Sequence, residues 1–387
     1  MTTSTAGLFA LSFLLSVSAV GCVAYFTVGR LRRRRLPDFP ALTGVPLPNP
    51  LPDFDITKAR PRPYRPFRWV YHQHMSLKKM EPDYWLELES TYHERIAQRL
   101  KLYETEGSNV LAMLPGTEHA CRELLEMVVQ FLCTRYPKQF IYDECSGVLT
   151  NNILGTQSNI YEDHPLETLI RHVPEDFAFT LPDPKTGFYH CVAGVICSSV
   201  GWNLGEKVGK PLSEIHDVVP HYKEKMEFSM DRYFQKMPLD KPIQRGSWAL
   251  EIQEPLYLQT THKAWERRAN PDPILTLDEV CIRVDWQTLR RLPRSRAIVF
   301  NFKALFTPIR RVRSEPYIPR LLLRILQDGD NKLLTYKGRH TNHVVLPALT
   351  EWAREQEEKG WVPKGWQERT LDEDPFFPGW EEAMKMY

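Results

Sequence analysis

The chain has no C-x-x-C pair: its seven cysteines, Cys22, Cys121, Cys133, Cys145, Cys191, Cys197 and Cys281, are odd in number and scattered. That argues against a zinc ribbon and against a disulfide framework. It has no N-x-S/T acceptor for N-glycosylation. It also lacks an excess of either charge, with 50 basic against 48 acidic side chains, so no global field draws in nucleic acid and any partner is recognised locally. The phosphate-cradling and hydrolytic signatures are missing too. Gly194, Gly201, Gly205 and Gly209 are not spaced as G-x-G-x-x-G, and no P-loop, G-x-S-x-G or H-E-x-x-H occurs. A Rossmann nicotinamide site is therefore not expected. Apolar material is plentiful: 387 residues, 42% hydrophobic and 11% aromatic, suffice for one large core or two smaller ones.

Charge is also absent from one run near the start. After a leader of residues 1–6, residues 7–29 read GLFALSFLLSVSAVGCVAYFTVG, long enough at 1.5 Å per residue to cross a hydrocarbon core. Arg30, Arg32, Arg33, Arg34 and Arg35 follow it, whereas the leader has no basic side chain. The expectation is a single transmembrane helix inserted in a lipid bilayer with the body in the cytosol. The endoplasmic reticulum is favoured over a mitochondrial membrane, because the arginines follow the apolar run; a cleaved signal peptide would carry its charges before it. Residues 30–66 are basic and proline-rich. They suit either an extended stalk or an ordered strap in which Phe39, Phe54 and Tyr64 dock on the body.

A body over residues 67–358 and a tail over residues 359–387 follow. Apolar residues at helical spacing predict helices over 82–103 and 117–135. FAFTL, the turn PDPKTG and FYHCVAGVICSS predict a hairpin. Pro220 opens a helix with Tyr222, Met226, Met230, Tyr233 and Met237 on one face. Strands are expected over 243–252, 279–284 and 296–306, and helices over 318–327 and 343–358. The fold class is α+β, helices flanking a largely antiparallel sheet, preceded by the transmembrane helix.

Candidate chemistry concentrates between residues 202 and 248. His216 ends a short amphipathic segment just before Pro220, a place where an imidazole can face a pocket as an axial ligand; taken alone, a lone histidine is more often a satisfied core or cap residue. Lys207, Lys210 and Arg245 can pair with carboxylates or simply be solvated. His72 and His74 form an H-x-H with no third ligand in view.

Four stretches carry a resemblance: RPFRWVYHQHMSLKKMEPDYWLELE, GWNLGEKVGKPLSEIHDVVPHYKEKMEFSMDRYF, QRGSWALE and RVDWQTLRRLPRSRAIVFNFKALFTP. From residue 65 to about 352 the chain resembles the α-subunit-like family of heme-dependent oxidative N-demethylases, in its fungal form. The resemblance implies a PAS-like fold holding heme b, a histidine on the iron, and O2 used there to oxidise an N-methyl group that leaves as formaldehyde. It is thus read as a monooxygenase-type oxidoreductase. Bacterial relatives take electrons and handle formaldehyde through other subunits with flavin, iron–sulfur and folate sites. None is encoded here, so a separate electron-donating reductase and a small N-methyl amine substrate are the implied partners.

The family's I-H-x-P-V-P element falls on Ile215, His216, Asp217, Val218, Val219 and Pro220, making His216 the iron ligand; Val218 departs from the usual proline. Arg245 and Trp248 stand where the family has an arginine and a tryptophan, with Ser247 in place of an asparagine. Arg290, Arg291 and Arg294 lie in LRRLPR, where a guanidinium fork can hold a propionate or order a loop. Lys207, Arg245, Trp248, Arg291 and Arg294 are the expected cofactor-binding residues beside His216. Cys197, Ser198, Ser199, Val200 and Gly201 precede Trp202 where bacterial relatives have a proline and an arginine, so the substrate pocket is expected to differ. The remaining ring N–H of His216 should meet a carbonyl or one of Glu214, Asp217 and Glu251. A cationic amine calls for a carboxylate or an aromatic cage. Two other functions stay open at the level of sequence: a non-catalytic heme or small-ligand sensor, and a heme-free membrane scaffold.

Overall fold

The computed structural model describes residues 34–385. Within them the proline segment is the ordered strap. Asp38 caps helix α1 (Phe39–Thr43) by accepting from the Ala41 N–H at 3.0 Å, and Gly44, at φ +74°, turns the chain out of it. Phe39 is buried, Phe54 lies 4.6 Å from the Tyr136 ring, and Tyr64 stacks on Trp286 at 3.9 Å. Prolines offer no N–H, so side-chain docking rather than a ladder holds this segment down.

After β1 (Lys78–Lys79) come α2 (Tyr92–Glu106), β2 (Leu111–Met113) and α3 (Glu118–Arg135). Twelve of the 18 residues of α3 are buried, which makes it the central helix of the first core. A small meander, β3 (Phe140–Asp143), β4 (Val148–Asn151) and β5 (Thr156–Asn159), leads to α4 (Pro165–His172). Then follow the hairpin β6 (Asp176–Pro182) and β7 (Tyr189–Val195), and three short helices α5 (Leu212–Ile215), α6 (Tyr222–Lys225) and α7 (Glu227–Lys236). Strand β8 (Ile243–Ile252), helix α8 (Trp265–Ala269) and the long strands β9 (Val280–Arg291) and β10 (Ile298–Pro308) complete the sheet. Helices α9 (Ile318–Asp328), α10 (Asn331–Lys337), α11 (Asn342–Glu358) and α12 (Trp380–Lys385) end the described chain.

The main sheet is antiparallel in the order β1-β8-β9-β10-β6-β7-β2. Its last strand in sequence, β10, pairs with the first long one, β6, so the two halves of the chain are joined at mid-sheet. Alternation along the strands gives two faces of different character. One is covered: α3 packs over Phe177, Phe179 and Val299, while α9 and α11 pack over Trp248, Leu250, Ile282, Val284 and Trp286. Each large side chain so buried contributes roughly 1.5–3 kcal/mol. The other face carries Arg245, Ser247, Ala249, Asp285, Gln287 and Phe300, all only half-buried. Helices α5 to α7 cover one end of it through Leu212, Tyr222, Met226, Met230 and Phe234. The result is a trough between these helices and the sheet.

The buried pair Arg99 and Asp176 ties α2 to β6, and Asp176 also accepts the N–H groups of Cys197 at 2.9 Å and Ser198 at 2.7 Å. This pins the segment that leaves β7 toward the trough.

The expected fold class and location are overturned in one respect. Among the described residues no helix is long and apolar enough to cross a membrane; even α3 carries Glu118, Arg122, Glu123, Glu126 and Arg135. Residues 7–29, on which the transmembrane helix, the single-pass placement and the lipid contact all rested, lie outside the described residues. The described architecture is a mixed one of helices and antiparallel sheets, without a membrane span.

Other boundaries differ for local reasons. The helix expected over 82–103 splits into a single turn at Pro82–Tyr84 and α2. Between them Glu89 folds back to accept the N–H and hydroxyl of Thr91, ending any helical run from the N-terminal side. The helix after Pro220 breaks at Met226, which has φ −125°. The strand expected over 279–284 continues to Arg291, and the meander β3 to β5 was not foreseen: its strands have four residues each.

Candidate functional site

The trough is organised around His216. After β7 the chain loops back so that Gly209 donates to the Cys191 carbonyl at 2.7 Å and Cys191 to Lys210 at 3.0 Å, which brings α5 alongside the sheet. His216 ends α5, its own N–H bonded to the Leu212 carbonyl. Its ring Nδ1 lies 2.8 Å from the same carbonyl oxygen. A carbonyl only accepts, so Nδ1 carries the proton and Nε2 keeps its lone pair. Among the described residues Nε2 has no hydrogen-bond partner. Burial holds the imidazole below its ordinary pKa; the positive charges of Arg245 and Lys207 reinforce this, against the Leu212 bond and Asp217. The ring lies flat on Tyr222, centroids 4.8 Å apart at 15°. A neutral, stacked imidazole with its tautomer fixed and a free Nε2 is what an axial iron ligand requires. The expected second partner is thus a backbone carbonyl, and neither Glu214, Asp217 nor Glu251 takes that place.

Across the trough stands Arg245 on β8. Its Nε is buried without a partner. Burial pushes its pKa down to about 10, with a further push from Arg68. Next to it Lys337 donates to the Ser247 hydroxyl at 2.7 Å, and burial lowers its pKa to about 8. Arg68 is neutralised by Asp374 at 3.0 Å. Arg245 therefore presents a cationic donor without an ion pair among the described residues, and Lys337 stands beside it with Asp285 and Glu251 near enough to hold its pKa up against burial. A buried cation is tolerated only when paired, so the face is shaped for an anionic group such as a propionate carboxylate.

The remaining expected residues fall elsewhere. Lys207 is tied to the Ile215 carbonyl at 3.0 Å and braces the His216 turn. Trp248, three residues after Arg245, points through the covered face, edge-on to Phe67 at 5.2 Å. Arg291 spends all five donors inside the protein: Nε on Met237 O at 2.8 Å, one Nη on Tyr189 Oη at 2.9 Å and Arg296 O at 3.1 Å, the other on Phe234 O and Gln235 O. Arg294 joins the β9–β10 turn to Glu123 and Glu126 of α3. Of the two roles open to LRRLPR, Arg291 and Arg294 take the ordering one. His74 accepts from the Ser76 N–H at 3.1 Å, and burial lowers its pKa to about 4.

Sequence reasoning missed Lys337, Tyr222 and Asp285. Asp285 was legible in principle, because R-V-D-W-Q-T at period two puts Arg283, Asp285 and Gln287 on the face that Arg245 shares. It is held through Oδ1 by Arg283 at 3.0 Å. Two small cavities, one beside Phe39 and Arg290 and one beside Glu175 and Trp286, lie on the covered face and do not border His216. The trough is located instead by His216, Arg245 and Lys337.

Among the described residues no group of three or more His, Cys, Asp and Glu side chains could hold a bare metal ion. A single imidazole suffices when a porphyrin brings four nitrogens of its own. With a free Nε2 on one wall and an unpaired guanidinium on the other, the residues fit a heme. The family comparison agrees. The model described as haem-dependent oxidative N-demethylase, alpha subunit-like, matches residues 76–346, a span that includes His216, Arg245, Asp285 and Lys337. The match covers more than half of the sequence, and the chain belongs to the haem-dependent oxidative N-demethylase, alpha subunit-like family.

Proposed function

We propose that the protein is a heme-dependent oxygenase that removes a methyl group from a small N-methyl amine. His216 would hold the iron of a protoporphyrin, heme b, through Nε2, and Arg245 with Lys337 would hold its propionates. The observation that carries this reading is the His216 tautomer: Nδ1 is committed to the Leu212 carbonyl at 2.8 Å, which leaves Nε2 as a ready donor.

When bound, the heme supplies O2 activation, a chemistry that no side chain here provides. The balance is one O2, two electrons and two protons per methyl oxidised, giving the demethylated amine, formaldehyde and water. The electrons would come from a separate reductase, since delivering them to a heme takes a redox carrier. The side chains do the rest. Leu212 fixes the His216 ring, Tyr222 backs it, and Arg245 and Lys337 would hold the propionates. Asp285, on the same face as Arg245 and bound to Arg283 through only one of its oxygens, is the carboxylate we assign to the cationic amine. An ammonium beside a partly desolvated carboxylate gains a charge-assisted hydrogen bond.

The test is turnover. Heme-loaded protein, driven by a ferredoxin and its reductase with NADPH, is offered a panel of N-methyl amines, and formaldehyde is measured. Release that depends on reductase, O2 and amine supports the reading; a heme-loaded protein that is reduced yet yields no formaldehyde with any amine contradicts it and favours a sensor.

A further inference from the structure

We propose that one ordered water molecule is a fixed part of this fold, bound on the covered face of the sheet between Glu175 Oε2 and Asn301 Nδ2. Both side chains are buried, at 2% and 3% exposed, and each has committed its other polar atom. Glu175 Oε1 accepts the Glu87 N–H at 2.9 Å, and Asn301 Oδ1 accepts the Thr288 hydroxyl at 2.6 Å. The atoms that remain, one acceptor and one donor, have no partner among the described residues. Both side chains line the same small cavity. Trp85 and Trp286 line it too, and their indole N–H groups are likewise buried and unbonded. A buried polar atom left unbonded is costly, and here the unbonded ones belong to side chains around a single space.

The room in that cavity is about 10 Å³, enough for one water and for nothing larger. The mixture of atoms around it selects the occupant. An ammonium or metal cation would face the Asn301 and indole N–H groups, and also Lys303, whose Nζ is held on the Glu87 carbonyl at 2.7 Å. A halide would face the Glu175 carboxyl group. Water both donates and accepts, so it can take a hydrogen bond from Asn301 and give one to Glu175. Glu175 directly precedes β6 and Asn301 lies on β10. The water therefore fastens the strand pair through which the two halves of the chain are joined. The sheet separates this site from the trough, and the inference does not rest on the heme reading.

The test is a crystal structure of the full-length protein at a resolution that shows ordered water. Density for one water is expected within about 3.2 Å of both Glu175 Oε2 and Asn301 Nδ2. No density there, or Glu175 and Asn301 bonded directly to each other, overturns the proposal. Asn301→Leu keeps the shape of the side chain and removes the donor, so the density should be lost in that variant. Density unchanged in Asn301→Leu overturns the bridge between the two side chains. If Asn301→Leu does not fold, the wild-type density alone decides the matter.

Discussion

Replacing Arg245 with leucine is expected to move the free protein and its heme complex in opposite directions. In the free protein the guanidinium is buried with no acid partner, and its pKa sits at about 10, where free arginine lies near 12.5. At about 1.36 kcal/mol per pH unit, the unpaired charge costs at most about 3 kcal/mol of folding free energy. Arg245→Leu removes that cost and keeps the aliphatic stem's contacts, so urea unfolding of the heme-free variant should show up to about 3 kcal/mol more stability. With Arg245 holding a propionate as proposed, the same substitution would remove that charge-assisted contact, and heme affinity should fall by about tenfold or more. Heme titration followed by absorbance, beside urea melts of the same two proteins, reads both signs. A variant that is less stable without heme and binds heme as tightly as before refutes the reasoning, because Arg245 would then be a structural residue.

Glu175 is buried between β6 and the strap, its Oε2 without a partner and its pKa raised to about 7 by burial. Between the ordinary carboxyl value near 4.5 and about 7 the native state binds a proton that the unfolded chain has released, so stability should fall as pH rises through this window. Glu175→Gln should flatten that slope and add up to about 3 kcal/mol above pH 7; an unchanged pH profile in urea melts contradicts the assignment. Arg291→Met leaves the carbonyls of Phe234, Met237 and Arg296 short of a donor and should cost roughly 3–5 kcal/mol. A loss under about 1 kcal/mol would show that the α7 contact is not structural. Asp285→Asn should raise KM for a cationic amine by about tenfold while leaving the heme spectrum as it was; an unchanged KM removes Asp285 from substrate binding.

Legibility in the sequence followed the range of the interaction. The hairpin of β6 and β7 was readable because its turn, PDPKTG, and its alternating flanks are local. The turn carrying His216 was singled out through a motif, but the carbonyl that fixes its tautomer was not, since backbone acceptors leave no mark in composition. Roles within LRRLPR could not be separated by sequence: Arg290, Arg291 and Arg294 differ only in what the distant residues Trp85, Phe234 and Glu126 bring to each. Lys337 joins Arg245 from a helix some 90 positions downstream. The strap was ambiguous because proline excludes helix without saying where the segment docks, and the transmembrane expectation rested wholly on residues 7–29, outside those described.

The proposed function depends on a bond from His216 Nε2 to heme iron. The direct measurement is the absorption spectrum of the heme-reconstituted protein and of His216→Ala, oxidised, reduced with dithionite and with carbon monoxide added. The wild type should show a Soret band that shifts on reduction and on CO binding, and His216→Ala should lose it or regain it only with added imidazole. A spectrum that is the same in His216→Ala, or no heme bound by the wild type at all, would contradict the account.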